Sequence, residues 1–106
     1  MTDPDQSQPS APSAPYVDVY WRPGCMFCSS LMRGLAKSGL EVRKINIWDD
    51  PDAAAFVRQH ARGNETVPTV DVSGTVVVNP PARVVLAMAR DAGIPVPEPE
   101  PSRWRR

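Results

Sequence analysis

Apolar and polar positions alternate over Tyr16-Val17-Asp18-Val19-Tyr20-Trp21, a period of two among aromatic and β-branched residues that predicts a strand. Gly24 breaks the alternation, and from Met26 the period lengthens. Phe27, Leu31, Met32, Leu35 and Ala36 recur at helical spacing until Ser38-Gly39 closes the segment. Alternation returns over 41–47 as a second strand. Asp49 or Asp50 then caps a second helix with Pro51 in its first turn and DAAAFVRQHA as its body, ended by Gly63-Asn64. Residues 69–72 and 75–78 are β-branched runs flanking Ser73-Gly74, the pattern of a hairpin. Pro80-Pro81 opens a last helix over 82–92, closed by Gly93 and Pro95. The order β-α-β-α-β-β-α contains no internal repeat. Two strand–helix–strand crossovers predict parallel pairing at the start, and the hairpin adds antiparallel strands. The fold class is therefore α/β, a mixed four-stranded sheet covered by helices.

Composition sets the limits of that core. The chain has 106 residues, enough for one domain. Of its 13 prolines, Pro4, Pro9, Pro12, Pro15, Pro95, Pro97, Pro99 and Pro101 lie outside the patterned region. Residues 1–15 thus read as a Pro/Ser-rich disordered leader, 16–94 as the folded domain, and 95–106 as a Pro/Arg-rich tail. The formal net charge is zero, so no bulk attraction to nucleic acid is expected. Arg103, Arg105 and Arg106 around Trp104 make a local basic cluster, read as a solvated tail before a docking peptide or membrane contact. No apolar run approaches the roughly 20 residues that span a bilayer. The N-terminus lacks the basic and apolar regions of a secretory signal. A cytoplasmic protein, with no membrane partner and monomeric, is the expectation.

Both cysteines fall in one C-x-x-C, Cys25 and Cys28, between the first strand and the first helix. In a reducing compartment such a pair suits redox or metal chemistry better than a structural staple. Unpaired amides of a helix's first turn favour an anion, so Cys25 is expected to carry the thiolate and Cys28, one turn in, to be buried and less ionised. Arg22 can add positive charge. A stabilised thiolate is readily expelled from a mixed disulfide, a property suited to carrying electrons. Zinc needs three or four ligands, and His60 is the sole histidine, so a metal within one chain is not expected. A metal or iron–sulfur carrier that shares Cys25 between two chains stays open. So do inert buried cysteines and a non-catalytic interaction module whose Pro-rich arms do the binding. The second informative stretch is Thr66-Val67-Pro68. A proline entering a strand is either an ordinary trans edge residue or a cis one that turns the Val67 backbone outward toward an extended thiol substrate. Trp21 either borders the groove or packs at the strand end, and Trp48 is core or surface.

Taken together, C-x-x-C after the first strand and T-V-P before a hairpin resemble the glutaredoxins of the thioredoxin fold. The likeness runs from about Val17 to Ala92. Arg22-Pro23-Gly24-Cys25-Met26-Phe27-Cys28 resembles the family's basic-x-x-C-x-aromatic-C site. Where glutathione users favour a Gly-Gly turn and an acidic residue, this chain has Val78-Asn79-Pro80-Pro81, which, with Ala53-Ala54-Ala55-Phe56-Val57 and the stretch from Gly63 to Pro68, looks like the mycoredoxins. The resemblance implies a thioredoxin-like fold and a thiol–disulfide oxidoreductase with Cys25 as nucleophile and Cys28 as resolving thiol. Val67 and Pro68 would clamp the substrate backbone, with Arg22, Phe27, Thr66 and Asn79 as further binding residues. It implies no resident cofactor, but mycothiol or glutathione as co-substrate, S-thiolated client proteins, and a disulfide reductase upstream. Glu65, just before Thr66, would disfavour the carboxylates of glutathione, unless Arg58 and Arg62 fold over the site to offset it. Mycothiol is therefore favoured.

Overall fold

Val17–Trp21 forms β1 of the computed structural model, which describes residues 14–97. Its alternation is resolved in the expected way. Val17 and Val19 face one side of the sheet, Asp18 and Tyr20 the other. Met26–Lys37 follows as α1, Arg43–Asn46 as β2, Pro51–His60 as α2, Thr69–Val72 as β3, Thr75–Val78 as β4 and Ala82–Asp91 as α3. The expected element order is therefore the observed one. The leader and the tail's basic cluster fall largely outside the described residues. Within them, Val96 still packs against the core.

The sheet runs β2-β1-β3-β4. β1 and β2 are parallel, while β1–β3 and β3–β4 are antiparallel. Here the structure corrects the sequence reading, because the second helical connection does not deliver a parallel strand. Residues 61–68 bring the chain back to the end of the sheet where β2 stopped. Pro68 therefore leads into β3 beside the start of α1, and that return places the second motif against the first.

Two strands are also shorter than their alternation suggests. β2 covers 43–46 instead of 41–47 because its ladder needs β1, whose residues Asp18 to Trp21 pair with Arg43 to Asn46. Tyr16 lies just outside β1, held by its N–H to the Ser73 hydroxyl and by the Ser73 N–H to its carbonyl, each at 2.9 Å. At the hairpin, Ser73 and Gly74 both take positive φ, as a two-residue turn matching the strand twist requires.

Each face of the sheet has its own core. On one, Val17, Val19, Val70 and Val72 pack with Leu31 and Leu35 of α1 and Val85 and Ala89 of α3. On the other, Tyr20 and Val67 pack with Ala53, Ala54 and Val57 of α2. Gly34 sits where α1 meets α3. A methyl group there would stand 2.9 Å from the Ala82 Cβ, so the helices' approach depends on its absence. Helix starts follow the sequence signals. Asp50, of the two candidate caps, accepts the Asp52 and Ala53 amides at 3.0 and 3.2 Å, with Pro51 in the first helical position. No described helix is long and apolar enough to cross a membrane.

Candidate functional site

β1 ends at Trp21, and four residues later Cys25 is the N-cap of α1. Gly24 makes that corner with φ of +79°, a conformation a side chain resists. Because Cys25 occupies the cap, its sulfur does what a Ser or Asp oxygen does at other helices, accepting the Cys28 N–H at 3.1 Å. A donor aimed at sulfur at a helix's positive end stabilises negative charge there. The Cys25 thiol in turn lies 3.7 Å from the Val67 carbonyl, to which its S–H donates. Cys25 is half-exposed, whereas Cys28 is 1% exposed. Burial pushes the Cys28 thiol up to about 12, and its hydrogen bond to Cys25 adds to the rise. One thiol is accessible and provided with a donor; the other is buried and held protonated.

The Thr66-Val67-Pro68 stretch, which follows α2 in the chain, packs against this site. The Val67–Pro68 bond is cis. The Thr69 hydroxyl, fully buried, donates to the Thr66 carbonyl at 2.8 Å and fixes the turn into β3. The Pro68 carbonyl accepts the Asn79 N–H at 2.7 Å, with Asn79 at a φ of +53°. Asn79 in turn shares a groove of about 360 Å³ with Phe27, Ser30, Pro80, Pro81 and Ala82. A chain of contacts thus runs from Cys25 through the buried Val67 and Pro68 to Asn79 and the groove it shares with Phe27. Phe27 is largely exposed at the groove, at 68%, and its neighbour Met26 is exposed on the same helix turn, at 81%. Ser30 was not among the expected residues, yet it follows Phe27 by three positions on α1, a spacing that puts both on one helix face.

Arg22 lies to one side. Its guanidinium donates to the Pro23 carbonyl at 3.2 Å and stands 5.8 Å from the centre of the exposed Trp48 ring. Its charge still reaches the buried thiol, opposing the rise at Cys28. Glu65 does not face a substrate alone. Its carboxylate receives the Arg58 guanidinium at 2.6 Å, an ion pair seven residues apart that no local pattern signals. His60 packs against Phe56 with the rings tilted by 48° and their centres 4.6 Å apart, and Phe56 stacks on Tyr20 at 4.9 Å, which makes this histidine part of α2's outer packing. Among the described residues no group of three or more His, Cys, Asp or Glu is placed to hold a metal.

Comparison with known proteins agrees with this geometry. The glutaredoxin family model matches residues 17–77. Mycoredoxin 1 of Corynebacterium glutamicum is 39% identical over 72 residues, covering 67% of this chain and 89% of that protein. Among solved structures, a thioredoxin-like protein superposes with a TM-score of 0.62 at 19% identity, over 70% of this chain and 94% of the other. The glutaredoxin-like protein NrdH-redoxin from Escherichia coli gives 0.57 at 24% identity, over 67% and 92%. The structural likenesses establish the thioredoxin-like fold, and the sequence matches establish the lineage. The chain belongs to the glutaredoxin family, is mycoredoxin-like within it, and is a thiol–disulfide oxidoreductase.

Proposed function

We propose that the protein reduces mixed disulfides between client proteins and a low-molecular-weight thiol, mycothiol in preference to glutathione, in the cytoplasm. The observation that carries the reading is the pairing of an accessible sulfur that accepts an amide N–H with a buried thiol one turn further along the helix. The Cys25 thiolate attacks the small-thiol sulfur of the mixed disulfide. The bond to the client breaks, the client leaves as a thiolate that takes a proton from water, and the small thiol remains disulfide-bonded to Cys25. A second small-thiol anion then attacks its counterpart on Cys25, releasing the symmetric disulfide and regenerating the Cys25 thiolate. A disulfide reductase upstream supplies two electrons to that product. For a bulky adduct Cys28 resolves instead. It bonds to Cys25 as the bond to the adduct breaks, its proton passing to the departing thiolate; two molecules of the small thiol then reduce the intramolecular disulfide, leaving as their own symmetric disulfide.

The groove between Phe27 and Asn79 is the place for the thiol's remaining portion, and the Val67 backbone is the place for its cysteinyl amide. Mycothiol, an acetylated cysteine on a sugar–inositol unit, offers hydroxyls to the Asn79-Pro80-Pro81 wall, which has no cation among the groove's lining residues to receive a carboxylate. The deciding experiment compares turnover of one client capped with mycothiol or with glutathione, each coupled to its own reductase. Faster turnover of the mycothiol adduct is expected. A glutathione preference would overturn the thiol assignment and leave the oxidoreductase intact.

A further inference from the structure

The Arg58–Glu65 ion pair occupies an unusual position. Arg58 belongs to the last turn of α2, whose Val57 packs in the same core as Val67, Cys28 and Cys25. Glu65 is separated from Val67 by Thr66 alone, so its backbone lies within about 7 Å of the residue whose carbonyl touches the Cys25 sulfur. Both side chains are 44% exposed. An exposed pair of this kind contributes little to stability. Its effect falls on the field at the rim: with the two charges joined at 2.6 Å, Arg58 and Glu65 cancel most of each other's field next to Thr66.

We infer that this pair sets the charge preference for the small thiol, by neutralising a rim that either partner alone would bias. The inference rests on the mixed-disulfide reading above. Arg58 without Glu65 is a cation beside the substrate backbone and draws in thiols that carry carboxylates. Glu65 without Arg58 repels them. A thiol with no charge beyond its sulfur is indifferent to either change. The two substitutions therefore act in opposite directions, which no loss of fold or loosening of the loop would produce.

The test uses one peptide with a single cysteine, capped either with glutathione, which is net negative, or with 2-mercaptoethanol, which is neutral. Release of the peptide thiol, as the cap passes to Cys25, is followed in single turnovers, and the ratio of the rate with the glutathione cap to that with the mercaptoethanol cap is the readout. Glu65→Gln is expected to raise the ratio about threefold, the Boltzmann factor for one charge pair at about 7 Å in a water-like dielectric. Arg58→Gln is expected to lower it by a similar factor, and the double variant to return to the wild-type ratio. In roughly 1 M salt, where the screening length is about 3 Å, the differences should collapse. Ratios that stay put, or that move the same way in both single variants, overturn the inference while leaving the mixed-disulfide reading standing. A wild-type protein that frees the peptide from neither cap overturns both.

Discussion

At the end of the sheet where β2 begins, Asp18 and Asp71 stand directly opposite each other on β1 and β3, both nearly buried. Arg43 clasps Asp18 with bonds of 2.6 and 2.8 Å. The Tyr16 hydroxyl and the Gly74 N–H donate to the two oxygens of Asp71 at 3.3 and 2.8 Å. At the other end, about 10 Å along β1, the Cys25 sulfur accepts one amide N–H, and the Arg22 guanidinium is turned to Pro23 and Trp48. The carboxylates, acidic groups that are costly to bury, are given a cation and two further donors and become part of the scaffold. The sulfur receives a single donor and keeps an open side, the access a nucleophile needs. The difference lies between an incompletely satisfied group at a fixed place and fully satisfied ones elsewhere.

The largest way to break this contrast is to remove the open sulfur. Cys25→Ser should fall to the uncatalysed rate on every disulfide substrate, while Cys28→Ser should keep measurable turnover of small-thiol adducts and lose that of protein disulfides. A stopped assay on each substrate class decides it, and full turnover by Cys25→Ser would show the roles reversed. Next comes the satisfied end. Arg43→Ala leaves Asp18 unpaired across from Asp71, at a cost of about 2–3 kcal/mol, below the usual range for a broken buried pair because water can enter the exposed site Arg43 vacates. Urea denaturation measures it, and an unchanged midpoint would show that Asp18 needs no cation.

A pH titration sharpens the comparison further. Burial raises both Cys28 and Tyr20 to about 12. Unfolding lets each ionise nearer its ordinary value, about 8.5 for a thiol and about 10 for a phenol. The unfolded state therefore loses protons first, and the stability these groups contribute, complete below about pH 8.5, should decline as pH climbs toward 12. Cys28→Ser should flatten the early part of that decline; a parallel curve would mean that Cys28 plays no part in it. The smallest effect expected is that of Gly34→Ala. The gain in helix propensity of roughly 1 kcal/mol is outweighed by overpacking of 1–3 kcal/mol against Ala82, a net loss of about 1 kcal/mol by thermal melting. A rise in melting temperature would show that α3 gives way.

What could be read from the sequence was local. Alternation in 17–21, helical spacing from Met26, the Asp50-Pro51 start and the Ser73-Gly74 turn are each written within a few residues, and all reappear in the structure. The site was legible to the extent that it hangs on local geometry: a cysteine at a helix start is an N-cap, and its partner three residues on lies inside. What stayed hidden depends on residues distant in the chain. The direction of β3 depends on how 61–68 return, the length of β2 on where β1 stops, and the Asp18–Arg43 and Arg58–Glu65 pairs on contacts spanning 25 and seven positions. Asn79 could be picked out from family likeness, but its bond to Pro68 exists only once β4 has paired with β3.

The 3.7 Å contact between the Cys25 thiol and the Val67 carbonyl works as an interlock. While the sulfur is protonated, its hydrogen occupies that oxygen. When the proton leaves, the oxygen loses its donor at the same moment that the sulfur becomes able to attack. In the reading proposed above, an extended thiol compound at Val67 would offer its own amide N–H to that oxygen. If the proposed docking at Val67 holds, one proton couples the two events: its departure frees an acceptor for the partner's amide and a sulfur for its disulfide together.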